Sequence, residues 1–204
     1  MKRSGLGNVW KGRAVRWIAH WARIGVAALW GFMAAPGVAA QSAPPPDPGV
    51  LIQSFQCVVL LGKNRTPIRV QVISDPALTI VSMAERLPNS TDLRIRLNPT
   101  LMNRYRPVAR LFWLEHECAH HTLGHTLRRS DVDPAQMGRD EDDADCTAIQ
   151  TMIKGLPGQA PMIDAQGLAT IEADVASLMR GGGYYKPGTE RAQQIEACAR
   201  RVGG

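Results

Sequence analysis

The chain has 204 residues, 45% of them hydrophobic, which suits one domain with an appendage. Its formal net charge of +6 does not mark a nucleic-acid or membrane partner. Lys2, Arg3, Lys11, Arg13, Arg16 and Arg23 supply six of the 24 basic residues, and the other 18 balance the 18 acidic ones.

The N-terminal segment 1–40 has the order of a secretory signal peptide. A basic stretch runs to Arg23, an apolar stretch follows from Ile24 to Ala35, and Pro36 and Gly37 break it. Val38-Ala39-Ala40 then places small residues before Gln41. The apolar run is shorter than the roughly 20 residues that span a bilayer. The expectation is cleavage near Ala40 and a periplasmic or secreted protein with no stable membrane anchor. Segment 41–49, with Pro44-Pro45-Pro46-Asp47-Pro48-Gly49, reads as an extended linker. Segment 50–204 reads as the folded domain.

Ile52 to Leu61 is apolar and β-rich, Gly62-Lys63-Asn64-Arg65 is a turn, and Ile68 to Ile73 alternates apolar and polar residues. Together they predict a hairpin. Asp75-Pro76 stops it, and Ala77 to Arg86 fits either helix or strand. Leu93-Arg94-Ile95-Arg96-Leu97 alternates as a strand with one wet face. It is either an edge for pairing with an extended peptide or an ordinary core strand. Pro107 suits the first turn of a helix running through Leu123, with Gly124 as its stop. A polar loop follows to Gly138, then a helix from about Arg139 to Lys154. A third helix is expected over Asp164–Arg180, a break at Gly181-Gly182-Gly183, and a last helix over Thr189–Val202 with Glu190 near its positive end. The expected fold class is α+β: a small antiparallel sheet packed on a helical core.

The chemistry concentrates in His116-Glu117-Cys118-Ala119-His120. On a helix, His116 and His120 lie one turn apart on one face. Both imidazoles can then reach one zinc ion at about 2.0–2.1 Å. Glu117 beside them can reach a water on that ion and act as general base. Phe112, Trp113 and Leu123 flank the motif and can bury one face. A catalytic zinc site needs a third protein ligand and leaves a position for water. The residues after His120 do not follow the metzincin spacing. Glu141-Asp142-Asp143-Ala144-Asp145 offers a carboxylate instead. Glu141 is the candidate ligand and Asp145, one turn on, the acceptor for the far nitrogen of a ligand histidine. Ala144 leaves room for close helix packing. His121 and His125 are rival third ligands. A helix dipole acting on an acidic helix start also accounts for Asp140, Asp142 and Asp143.

HExxH followed by Leu123-Gly124-His125 and then Glu-x-x-Ala-Asp resembles the gluzincin metallopeptidases related to HtpX and the CaaX prenyl proteases. The likeness runs over roughly Leu93 to Arg201 and is strongest at the two helices. It implies His116, His120 and Glu141 as ligands of one Zn²⁺, Glu117 as base and Asp145 as supporting acid. Many relatives carry a His-Pro segment and an arginine in a late helix. Here Tyr185-Lys186-Pro187-Gly188-Thr189-Glu190-Arg191 is partly similar, with Lys186 where a histidine stands. Tyr184, Tyr185 and Arg191 are candidates for oxyanion support. The implied activity is an endopeptidase acting on a peptide or protein through a zinc-activated water.

The even cysteine count in an exported chain suggests two disulfides among Cys57, Cys118, Cys146 and Cys198. If the two metal-binding helices pair, Cys118–Cys146 is the natural staple and Cys57–Cys198 ties the first strand to the last helix. Two further readings stand beside the enzyme: a zinc-stabilised binding or envelope-assembly protein, and a metal-free adhesion or inhibitor domain held by disulfides.

Overall fold

The computed structural model describes residues 54–61, 66–88, 90–128, 133–183 and 185–202, all within the compact unit Ser42–Gly204. The expected leader, the linker, the turn at 62–65 and Tyr184 lie outside the described residues.

Strands β1 (Val58–Leu61) and β2 (Thr66–Arg69) form the expected antiparallel hairpin, with Val58 opposite Arg69 and Leu61 opposite Thr66. The alternating run Ile68–Ile73 is not one strand, however. Val70 turns into the core and its N–H donates to the Cys57 carbonyl at 2.9 Å. The chain then enters β3 (Gln71–Ser74), which belongs to a second sheet. That sheet has the order β3-β5-β4, where β4 is Ser82–Arg86 and β5 is Leu93–Leu97. β4 pairs antiparallel with β5, and β3 pairs parallel with it.

The central place of β5 decides between the two readings of Leu93–Leu97: it is a core strand and not an edge. Leu93 and Ile95 are buried against a helix, while Arg96 on the opposite face donates to Asp75 and Glu85. The edge strand beside the helices is β4.

A short helix α1 (Pro99–Met102) follows, its start capped by the Asn98 side chain, which accepts from the Thr100 and Leu101 N–H groups. Helix α2 (Pro107–Thr122) begins on proline and ends at Leu123, where Gly124 takes a left-handed φ of 76°. A 3₁₀ turn (His125–Leu127) brings the chain back beside the helix. Helix α3 (Pro134–Lys154) starts earlier than expected, because Asp133 caps the Gln136 N–H and Pro134 fills the first turn. Helices α4 (Ala165–Leu178) and α5 (Gly188–Arg200) complete the chain.

Helix α2 has two buried faces. Leu114, with Cys118 partly buried beside it, packs on Cys57, Val59, Val70, Leu93 and Ile95. Val108, Leu111 and Phe112 pack with Ile149 and Met152 of α3, Ile171 and Val175 of α4, and Ile195 of α5. Each such side chain, fully buried, contributes about 1.5–3 kcal/mol relative to exposure. Phe112 and Trp113 shield the motif helix as expected, but Leu123 is exposed because the helix ends there. Two small residues permit close approach to the site. Ala144 is completely buried in α3. A Cβ on Gly188 would sit 2.4 Å from the Val175 carbonyl oxygen, so only glycine lets α5 start against α4. Among the described residues, no helix is long and apolar enough to cross a membrane.

All four cysteines are bonded, but the pairs are Cys57–Cys118 and Cys146–Cys198, with Cα separations of 5.7 and 5.1 Å. This overturns the expected Cys118–Cys146 and Cys57–Cys198 pairing. Cys118 projects from α2 toward the sheet, whereas Cys146 projects from α3 toward α5. The two metal-facing helices are therefore each tied to an outer element and not to one another.

Candidate metal centre

The i, i+4 spacing on α2 places the His116 and His120 Nε2 atoms 3.1 Å apart. From α3, the Glu141 carboxylate lies 3.3 Å from His116 Nε2 and 3.4 Å from His120 Nε2. Four ligands arranged tetrahedrally at about 2.0–2.1 Å from an ion are about 3.3–3.4 Å from each other. The two imidazole nitrogens have about that spacing; Glu141 meets His116 through Oε2 and His120 through Oε1, and one donor atom from each of the three residues lies within 4.8 Å of the others. Among the described residues this is the group of histidine and acidic side chains that can hold a metal ion.

The rival ligands go elsewhere. His121 is buried on the other side of α2, with Nε2 3.0 Å from the Arg94 carbonyl and Nδ1 2.9 Å from Thr126 Oγ1. It joins the helix to β5. His125 Nδ1 lies 2.9 Å from His120 Nδ1, the nitrogen facing away from the centre.

Asp145 takes the place expected for it. Its Oδ1 is 2.9 Å from His116 Nδ1. Arg191 clamps the same carboxylate through Nε and Nη2, both at 2.7 Å, and its Nη2 is 3.4 Å from Glu141 Oε2. The guanidinium also stacks 4.8 Å from the centroid of Trp113, whose ring meets His116 edge-on at 5.5 Å. Arg191 was a candidate for oxyanion support; the structure engages it with Asp145 and Glu141. Tyr185 lines the cleft and bridges to Gly182. Lys186 is held by Asp142 at 2.6 Å. Asp140, Asp142 and Asp143 sit inside α3 and not in its first turn, so the helix dipole does not explain them.

The buried charges compensate one another. Burial opposes a charge on His116, but the Asp145 and Glu141 carboxylates prevail and raise its pKa to about 9. Burial pushes the Glu141 carboxyl up, yet hydrogen bonds with His116 and His120 hold it far below the usual range. Asp145 is likewise pushed up by burial and pulled down overall by Arg191 and His116. Burial lowers the pKa of Arg191, and the charge of Asp145 beside it more than reverses that. His121 and His125 are both lowered, chiefly by burial.

Glu117 does not point at the other carboxylates' partners. It accepts a 2.6 Å hydrogen bond from Ser82 Oγ, at the start of β4. Ser82 had no motif to mark it in the sequence. Only the packing of β4 on α2 brings it there. A cleft of about 880 Å³ opens over the centre, with Glu117, His116, His120 and Glu141 in its wall. Ser82, Met83 and Ala84 of β4 form one side, and Leu101, Tyr105, Trp113 and Met179 contribute apolar surface. No protein-family model, no curated protein and no solved structure matches the chain.

Proposed function

We propose that the chain is an exported zinc endopeptidase of the gluzincin type, related to HtpX and the CaaX prenyl proteases. The observation that carries this reading is the convergence of two imidazoles and one carboxylate at 3.1–3.4 Å spacing with Glu117 beside them in a cleft wall. A nitrogen and oxygen donor set suits zinc, and three protein ligands leave a position open, as catalytic zinc sites do and structural ones do not. The ion would supply Lewis acidity, polarising a peptide carbonyl and lowering the pKa of a water to about 7.

The protein's own groups do the rest. Glu117 takes the proton from water and delivers it to the leaving amine. Ser82 occupies Glu117 Oε1 and so aims the second oxygen. Asp145 fixes the ring of His116, and Arg191 fixes Asp145. β4, the sheet edge at the cleft, offers backbone groups to which an extended peptide can add as a strand. The apolar wall suits a nonpolar side chain of that peptide. Two disulfides and the signal-like leader support an oxidising compartment.

Metal analysis and cleavage assays on Glu117→Gln test the reading. One zinc per chain is expected in both parent and variant, with cleavage reduced 10²-fold or more in the variant, at the scale of a lost general base. Cleavage that survives Glu117→Gln refutes the mechanism. Stoichiometric zinc with no turnover in the parent supports instead a zinc-stabilised assembly protein.

A further inference from the structure

His125 lies outside the ligand set, yet its side chain is only 6% exposed and lies within hydrogen-bond distance of a ligand histidine. Three geometric facts bear on its role. His120 turns Nε2 toward His116 and Glu141, so its Nδ1 is the nitrogen left to face the protein. His125 Nδ1 meets that atom at 2.9 Å. On the other side of the His125 ring, Nε2 faces Asp140 Oδ1 at 3.8 Å. Asp140 is itself buried and fixed by Arg128 Nη1 at 2.5 and 2.7 Å and by Gln136 Nε2 at 2.7 Å.

An imidazole that binds an ion through Nε2 carries its proton on Nδ1 and must donate it. His125 Nδ1 is then the acceptor, so the His125 proton sits on Nε2, on the side of Asp140. The arrangement is directional: His120 donates to His125, and His125 turns its N–H toward a carboxylate. His116 has a direct equivalent in Asp145. The two ligand histidines therefore have different supports, a carboxylate for one and a histidine backed by a carboxylate for the other.

We propose that His125, with the Asp140 carboxylate facing its far nitrogen, is a positioning residue that fixes the tautomer and ring orientation of His120 as a metal ligand. The proposal rests on the metal reading of the site. Its placement follows from chain geometry. Gly124, at φ 76°, reverses the chain at the end of α2, and the 3₁₀ turn sets His125 back against the ring of His120, five residues earlier. Arg128, at the end of that turn, reaches α3 through Asp140. The same contacts thus join the turn to the helix that supplies Glu141.

The test is zinc affinity, measured by competition with a chromophoric chelator, together with the visible spectrum of the cobalt(II)-loaded protein. His125→Leu keeps the bulk and removes the acceptor. It is expected to weaken zinc binding about 10–100-fold, the usual effect of losing such a partner, and to alter the cobalt spectrum. His125→Asn keeps an acceptor near the Nδ1 position and should restore affinity to within about threefold of the parent on the same scale. Chelator-treated protein should unfold at nearly the same temperature in parent and His125→Asn. Parent-like zinc affinity in His125→Leu overturns the proposal, and so does equal loss in His125→Leu and His125→Asn. A parent that binds no divalent ion overturns the metal reading first, and is distinguished from both by the absence of any competition.

Discussion

Asp145→Asn is the sharpest probe of the buried centre, because it keeps the shape of the side chain and changes its charge. Asp145 is 1% exposed. One oxygen accepts from Arg191 Nη2 at 2.7 Å and lies 2.9 Å from His116 Nδ1, and the other accepts from Arg191 Nε at 2.7 Å. An asparagine must turn its NH₂ toward one of these donors in either orientation. Arg191, 3% exposed, is then left with Glu141 at 3.4 Å as its carboxylate partner. Leaving one member of a buried ion pair uncompensated costs about 3–5 kcal/mol. The Glu141 contact offsets part of that, so a loss near 3 kcal/mol is expected by the same reasoning. For a domain of this size that corresponds to a fall in Tm of roughly 6–12 °C. Urea unfolding in excess chelator isolates this effect from metal binding. The m-value should not change. Adding Arg191→Met removes the stranded charge and should recover a large part of the loss. A loss under about 1 kcal/mol for Asp145→Asn, well short of the buried-pair scale, refutes the argument. So does a double variant as unstable as the sum of the two single ones.

The disulfide pattern is open to direct mapping. Non-reducing peptide analysis should link Cys57 to Cys118 and Cys146 to Cys198, and a Cys118–Cys146 peptide would show the fold to be wrong. Replacing Cys57 and Cys118 together by serine, which opens a loop with a sequence separation of 61, should lower stability by about 4 kcal/mol on the chain-entropy estimate. Gly188→Ala forces a Cβ to within 2.4 Å of one backbone oxygen and 2.7 Å of another. The helix start must shift, at about 1–3 kcal/mol. Arg191 lies one turn further on, so zinc affinity should fall alongside stability. Unchanged thermal unfolding would mean that α5 can move away freely.

The parts of the centre that sequence makes legible are those carried by a local period. His116 and His120 share a helix face whatever the rest of the chain does, and Glu141 and Asp145 share another. The α3 face that supplies them continues as the buried residues Ala148, Ile149 and Met152. Where period failed, two structures competed for one pattern. Ile68–Ile73 alternates as one strand, but Val70 is pulled inward and divides it between two sheets. The alternation of Leu93–Leu97 fits an edge or a core strand alike; the strand is central, and its outward Arg96 is paired with Asp75 and Glu85. The start of α3 was placed late because its polar first turns carry no apolar stripe. Its Asp133 cap and Pro134 were the signal that could have corrected it.

The sequence by itself determined the α+β class, the four bonded cysteines and the candidate ligands, because each depends on composition or on spacing within one element. Tertiary structure alone decided the contacts between elements: Cys57 with Cys118, Ser82 with Glu117, Arg191 with Asp145, and His125 turned back onto His120. These pairs lie up to 61 residues apart in the chain or depend on one left-handed glycine. A helical period fixes which way a side chain points from its own axis. It does not fix what stands opposite, which is set by how the buried faces of α2 pack against the sheet on one side and the helices on the other.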